Sequence, residues 1–310
     1  MIELKNVTKK YGDFKALDDI SFKINKGEIV GFLGQNGAGK TTTMKIITGL
    51  IEPTEGQVLI NDKPIGKKNK TKIGFMPENT PLYDSLTVKE FVNFMAEIKG
   101  IKRSERKKET ESLINKLNLK EVENKLIKNL SKGYKQRVSI VGALIGNPEV
   151  LVLDEPNVGL DPKQIIEVRN LIRSLKEEHT ILLSSHILAE VNEICDKIII
   201  IDNGKIIAVD TSENLKNKID KNIVDIVIED PDNNINKIKE NVDGITDIKF
   251  IGEKEKNEKE FQIEARGDID IRKELMTELG NLNIVIVELK KTKSTLEDVF
   301  VELIDNESED

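Results

Sequence analysis

Eight consecutive residues, Gly34-Gln35-Asn36-Gly37-Ala38-Gly39-Lys40-Thr41, carry the densest chemistry in the chain. They follow an apolar stretch ending at Leu33 and fit the pattern G-x-x-x-x-G-K-[ST], in which glycines let backbone N–H groups turn inward around phosphates. A helix expected to start near Lys40 aims its positive end at the same anion. Lys40 adds a point charge, and the Thr41 hydroxyl is a candidate magnesium ligand. The bland alternative is a glycine-rich strand-to-helix turn without a ligand. Residue frequencies put a chance match at odds on the order of one in a hundred, so nucleotide binding is the expectation.

Two further strands end in ionisable groups. Val150–Leu153 delivers Asp154 and Glu155 at its C-terminal end, where α/β sheets place their ligands. Asp154 is the candidate to hold magnesium, directly or through water. Successive strand residues diverge in direction, so Glu155 is expected to face the γ-phosphate and polarise an attacking water. Residues 180–184 run into Ser185-His186. A histidine at a strand end is more often structural than catalytic, but beside a phosphate loop and a carboxylate strand the odds reverse. His186 is then the candidate to bond the γ-phosphate and hold the water and Glu155 in line. Leu130-Ser131-Lys132-Gly133-Tyr134-Lys135-Gln136-Arg137 opens a helix that runs to about Ile145, with Ser131 a good N-cap and Gly133 leaving the N–H groups open to a phosphate. Alone, that segment is an ordinary helix start.

The elements that must position these groups follow an α/β pattern. The first 210 residues alternate short Ile/Val/Leu strands with helical stretches, as in a largely parallel sheet covered by helices. Strands are expected at residues 28–33, 150–153, 180–184 and 197–202. Between about residues 86 and 145 apolar residues recur at helical spacing (Val88, Phe91, Val92, Met95), which predicts a helical insertion. After Asp210 the texture turns Asn- and Lys-rich, marking a boundary near residues 214–221. The remainder predicts strand 223–228, a helix, strands 245–251 and 260–265 around a charged loop at 253–259, helix 271–279 and strand 283–289. That order suits a small α+β split βαβ, ferredoxin-like domain. The expected organisation is one domain over residues 1–215, an accessory domain over 222–305, and a frayed acidic tail at 306–310.

Composition sets the limits. A chain of 310 residues is about two domains long. Charged residues make up 33% and hydrophobic residues 38%, and no apolar run approaches the roughly 18 to 20 residues of a spanning helix. The N-terminus runs into a strand-like alternation without signal-peptide regions, so a cytosolic location is expected. Any membrane attachment is expected through a protein partner, since neither a lipidation signal nor a basic amphipathic anchor is visible. Cys195 is the only cysteine, which rules out an intrachain disulfide and favours packing over reactivity. The net charge of −7 is spread over interleaved lysines and acids, so nucleic acid is not an expected partner. Asn217-Lys218-Ile219-Asp220 matches the guanine-reading N-K-x-D pattern, but it sits in the Asn- and Lys-rich linker and follows no buried strand, so it is taken as a coincidence.

Over about residues 2 to 210, with every motif in order, the sequence resembles the ABC ATPase family. The resemblance implies that Leu130-Ser131-Lys132-Gly133 is the family signature, Gly159-Leu160-Asp161 its D-loop and His186 its switch histidine. It also implies that Tyr11 stacks on adenine with Ala16 nearby, and that Thr42 joins the loop residues in the ATP site. Catalysis would then rest on Glu155 and His186, with ATP and Mg2+ as cofactors. The resemblance also implies a head-to-tail dimer in which Ser131, Lys132 and Gly133 of one subunit close over the ATP held by the other. ATP would close that dimer and hydrolysis would reopen it.

This chain departs from the pattern at three positions. Phe75-Met76-Pro77 leads to Glu78 where many members carry glutamine, and Glu78 keeps an oxygen to offer magnesium. Lys132 stands where glycine is usual and Tyr134 where glutamine is usual, while Ser131 and Gly133 remain, so working catalysis is expected. These departures, with Ser294-Thr295-Leu296-Glu297-Asp298-Val299-Phe300, look like the subgroup that powers ABC-2 type exporters, which commonly carries a small C-terminal domain. The implied protein is an export motor, bound through an ABC-2 type permease at the cytoplasmic face of the membrane and paired with a second ATPase subunit. Two other readings compete. A soluble ABC ATPase of translation or DNA repair fits poorly with a single nucleotide unit, no long coiled coil and an acidic balance. A regulatory subunit with little turnover is opposed by Glu155 and His186 and kept alive by the altered signature.

Overall fold

The computed structural model describes residues 1–66, 72–218, 222–229, 235–254, 257–266, 270–293 and Phe300. The acidic tail, residues 294–299, part of the charged loop at 253–259 and two members of the N-K-x-D match (Ile219 and Asp220) lie outside the described residues. The chain divides into two units, Met1–Ser212 and Glu213–Asp310.

The first unit opens with β1 (Ile2–Tyr11) and β2 (Phe14–Ile24), joined by a tight turn at Gly12 and Asp13 that leaves Tyr11 opposite Phe14. Next come β3 (Ile29–Leu33), α1 (Lys40–Ile47), β4 (Glu55–Ile60), β5 (Lys63–Pro64) and β6 (Ile73–Met76). A helical stretch follows: α2 (Val88–Ile98), α3 (Arg103–Lys116) and α4 (Lys132–Leu144). Thr87 and Glu90 form a reciprocal capping box at the start of α2, which fixes where the insertion begins. The unit closes with β7 (Val150–Leu153), α5 (Pro162–Leu175), β8 (Thr180–Ser185), α6 (Leu188–Ile194), β9 (Lys197–Asp202) and β10 (Lys205–Asp210).

Six of these strands form one sheet in the order β10-β9-β3-β8-β7-β6, parallel except for the edge strand β10. Every residue of β3, β7 and β8 is buried, as expected for strands covered on both faces. Each fully buried Val, Leu or Ile there contributes about 1.5–3 kcal/mol relative to exposure. The registers Leu33↔Ser185, Leu153↔Leu183 and Met76↔Leu153 align the C-terminal strand ends. That alignment brings the segments after β3, β6, β7 and β8 to one edge.

A second sheet, β2-β1-β4-β5, is antiparallel throughout, so the largely parallel expectation holds for the central sheet and needs this addition at the N-terminus. Two boundaries also move. β3 begins at Ile29 because the Glu28 carboxylate turns back to accept from the Asn25 N–H at 2.8 Å. β8 extends one residue to Ser185, which pairs with Leu33.

The second unit follows α7 (Ser212–Lys218) with β11 (Asn222–Glu229), α8 (Ile238–Asn241), β12 (Ile245–Glu253), β13 (Glu258–Ala265), α9 (Arg272–Asn281) and β14 (Val285–Lys293). Its four strands pair antiparallel in the order β12-β13-β11-β14, the arrangement of a split βαβ sandwich. Val224, Ile226, Ile228, Phe261 and Ile263 share one core with Ile238, Leu275 and Leu279 from the helices. The outward positions of β13, Glu260, Gln262 and Glu264, alternate with these, which is the period-two pattern of a one-sided sheet.

Candidate functional site

The segment between β3 and α1 needs glycine for two physical reasons. A Cβ at Gly34 would lie 2.4 Å from the Ile201 carbonyl oxygen, so the loop sits against β9 at a distance only hydrogen permits. Gly39, at the N-cap of α1, has φ +111, a region open to glycine alone. The Lys40 ammonium turns back over this loop and donates to the carbonyls of Gly34 (2.7 Å) and Gln35 (3.1 Å). Burial pulls the Lys40 ammonium below its ordinary range, while the carboxylates of Glu155, Asp154 and Glu78 pull in the other direction.

Beside the loop, Asp154 is buried at 1% exposure. It accepts from the Ser184 hydroxyl at 2.6 Å and from the Thr41 hydroxyl at 3.1 Å. Thr41 and Asp154 therefore present two hard oxygens together, a donor set that suits magnesium. Among the described residues no cluster of three acidic, histidine or cysteine ligands exists. These oxygens would hold the ion only in company with water and phosphates, which is how magnesium is usually bound.

Glu155 follows with φ +49. This corrects the strand argument: β7 ends at Leu153, and a left-handed residue, not the pleat, turns Glu155 away from Asp154. The turn is braced by the Ser184 hydroxyl, which accepts from the Glu155 N–H at 2.8 Å while donating to Asp154. The Glu155 carboxylate meets His186 Nδ1 at 2.9 Å through one oxygen and Lys40 Nζ at 3.9 Å through the other. A nearly buried carboxylate is thus set between a cation and an imidazole.

Replacing Ser184 with alanine should expose the importance of this brace, because it strips Asp154 of a buried donor and Glu155 N–H of its acceptor. The expected cost is about 1–3 kcal/mol, seen as a melting temperature lowered by about 2–4 °C per kcal/mol. The magnesium concentration for half-maximal ATP turnover should rise several-fold. An unchanged melting temperature and magnesium requirement would show that the hydroxyl braces nothing.

These groups open on a cavity of 490 Å³. It is lined by Asn36, Gly37, Gly39, Lys40, Thr41 and Thr42 from the loop and α1, by Glu78, Glu155 and His186, and by Tyr11 and Ala16 from the N-terminal strands. Gln35 contributes its carbonyl to Lys40 and to the Ala38 N–H (3.2 Å). Ala38 is buried beneath the loop, where its carbonyl accepts from Gly204 at 3.0 Å. Phe14 and Val158 also line the cavity and are absent from the sequence expectation. The signal for Phe14 was present, since it stands across a two-residue turn from Tyr11; nothing in the sequence marks Val158 or Ser184.

Ser131, Lys132, Gly133 and Asp161 stand apart from this cavity's lining. Ser131 caps α4 by accepting from the Tyr134 N–H, and Asp161 caps α5 by accepting from the Gln164 N–H at 2.9 Å. Gly133 packs on Gln164, whose Cδ would be 3.0 Å from an added Cβ, and the Lys132 ammonium lies against Gly159. The Tyr134 hydroxyl donates to Glu121, and its ring lies 5.5 Å from the Arg137 guanidinium carbon. Cys195, partly buried, packs against Gly31 beside Val191, and desolvation pushes its thiol above the ordinary range. No described helix is long and apolar enough to cross a membrane.

Comparison with known proteins gives a consistent picture. Residues 17–158 match the family model described as ABC transporter. An uncharacterized ABC transporter ATP-binding protein of Methanocaldococcus jannaschii is 42% identical over 205 residues, covering 66% of this chain and 75% of that one. The bacitracin transport ATP-binding protein of Bacillus licheniformis is 35% identical over 316 residues, covering 98% of this chain and 97% of the relative. Among solved structures, a dimeric bacterial ABC transporter cassette, also solved in a post-hydrolysis state bound to ADP and Pi, superposes with a TM-score of 0.61 at 30% identity. That match covers 68% of this chain and 98% of the other.

Proposed function

The chain belongs to the ABC transporter ATP-binding family, and from that membership we propose that it is the motor subunit of an ABC-2 type exporter, driving a separate membrane permease by ATP-dependent closure of a dimer. It is an ATPase. The observation that carries the hydrolytic part is the convergence of Lys40, Thr41, Glu155 and His186 at one cavity, with Asp154 hydrogen-bonded to Thr41 behind it. The export part is supported by the near full-length likeness, second unit included, to a bacitracin transport ATP-binding protein.

In this reading the loop N–H groups and Lys40 hold the β- and γ-phosphates, and Tyr11 receives the adenine. Thr41 and Asp154 hold magnesium, with Glu78 as a further oxygen at the same cavity. Bound there, magnesium would neutralise charge on the phosphates. The Glu155 carboxylate accepts a hydrogen bond from the attacking water, and His186 orients both carboxylate and phosphate. Ser131, Lys132 and Gly133 close over the ATP of a second subunit, and Asp161 stands at the same dimer seam. Residues 1–215 form the ATP-binding domain and 222–305 an accessory domain. The subunit sits at the cytoplasmic face of the membrane, held by its permease.

The test is to purify tagged Glu155→Gln protein from detergent-solubilised native membranes in ATP and magnesium and identify what accompanies it by mass spectrometry. A polytopic membrane protein in stoichiometric amount is the expected result. A complex with ribosomes or nucleic acid, or no membrane protein at all, would overturn the export reading and leave ATP hydrolysis standing.

A further inference from the structure

The two hydrolytic side chains sit on separate loops. Glu155 is the second residue of the loop after β7, and His186 begins the loop after β8. A single 2.9 Å hydrogen bond joins their tips, and His186 is half exposed. A lone bond between two loop-borne side chains does not fix a geometry to the fraction of an ångström that in-line attack needs. Something behind the pair must hold the loops in register.

We propose that Glu190 is a positioning residue for ATP hydrolysis, its carboxylate pinning the loop that carries Glu155 to the loop that carries His186. The same oxygen, Glu190 Oε2, accepts from Asn157 Nδ2 at 2.9 Å and from the Ser185 hydroxyl at 3.3 Å. Asn157 is two residues past Glu155 and Ser185 is one before His186. With the Glu155–His186 bond, these contacts close a ring across the two loops. Ser185 also accepts from the Ile187 N–H at 3.0 Å, so its hydroxyl shapes the backbone on the far side of His186.

Glu190 is itself on a firm base. It stands on α6, whose next residue, Val191, is fully buried against β3, where a Cβ at Gly31 would lie 2.2 Å from its Cγ1. The Asn157 amide oxygen is buried with no hydrogen-bond partner, so the amide holds the loop through Nδ2 alone. From the other side Gln136 of α4 donates to the Pro156 carbonyl at 2.6 Å. The loop after Glu155 is thus clamped between α6 and α4, and the grip at Glu190 is a charged one; charge-assisted bonds are about twice as strong as neutral ones.

The inference rests on the hydrolytic role assigned to Glu155 and His186 above. Steady-state phosphate release by the purified full-length chain tests it. Glu190→Ala should lower kcat about 10- to 100-fold with KM for ATP and ATP-binding stoichiometry within about twofold of wild type. Glu190→Gln keeps an acceptor oxygen and should retain most of the activity. Asn157→Asp, which sets two carboxylates face to face, should lose activity as Glu190→Ala does. The double variant Asn157→Asp/Glu190→Gln, with donor and acceptor exchanged, should recover it. Glu190→Ala with wild-type kcat would overturn the proposal. So would a kcat loss matched by an equal loss of ATP-binding stoichiometry, which marks a mere folding defect, or a double variant no better than Asn157→Asp. An inactive wild type would instead remove the hydrolytic reading beneath it.

Discussion

Replacing Glu155 with glutamine should cut ATP turnover by about 10²- to 10⁴-fold, the range lost with a general base, while ATP binding stays intact. The substitution is nearly isosteric, so the left-handed turn at φ +49 and the bond from its N–H to Ser184 survive. What it removes is the carboxylate charge, whose two oxygens lie 2.9 Å from His186 Nδ1 and 3.9 Å from Lys40 Nζ. An amide there no longer accepts a water proton, and its charge is gone from the neighbourhood of Lys40. Single-turnover phosphate release on ATP-loaded protein measures the chemical step directly. Turnover within a few-fold of wild type would move the base to another residue.

Lys40→Ala should act earlier, on binding. The ammonium is 7% exposed and has already left water, held by two backbone carbonyls and facing three carboxylates. A phosphate gains a charge-assisted contact to a cation whose desolvation is already met by the fold. Each such bond is worth about 1.5–3 kcal/mol, so losing the Lys40 contacts to the terminal phosphates should weaken ATP affinity by about 100-fold or more. AMP, which has no β- or γ-phosphate, should bind the variant and the wild type alike. Calorimetric titration with both nucleotides makes the comparison, and equal losses for ATP and AMP would show that the loop itself had collapsed.

The contrast between Glu155 and Ser184 shows what a sequence can and cannot convey here. The phosphate loop was legible because its demands are local: glycines at 34 and 39 are required by close approach and by positive φ, and both constraints act within one short segment. Asp154, Glu155 and His186 were legible because strand ends in such sheets face one edge. Ser184 and Glu190 were not. Their roles arise from the parallel pairing of β7 with β8 and the seating of α6 on β3, which join residues about thirty positions apart by register alone. The turn at Glu155 carries no such signal, since a left-handed backbone and not the pleat separates it from Asp154. The N-terminal strand was legible from its alternation, but its pairing into a separate antiparallel sheet was not, because register shifts between Leu4 and Lys10 interrupt the ladder of β1 with β2. Phe14 went unnoticed with it.

In the proposed dimer the cavity around Lys40 and Glu155 is half of a site, completed by the Ser131 helix of a second copy. Sedimentation of purified Glu155→Gln protein with ATP, with ADP and with neither tests this most directly. The prediction is a dimer with ATP and magnesium, a monomer otherwise, and loss of the ATP-bound dimer when Ser131→Arg is added to the same chain with nucleotide binding retained. A protein that binds ATP at Lys40 yet stays monomeric at every concentration tested would contradict the composite site and leave a motor without its second stroke.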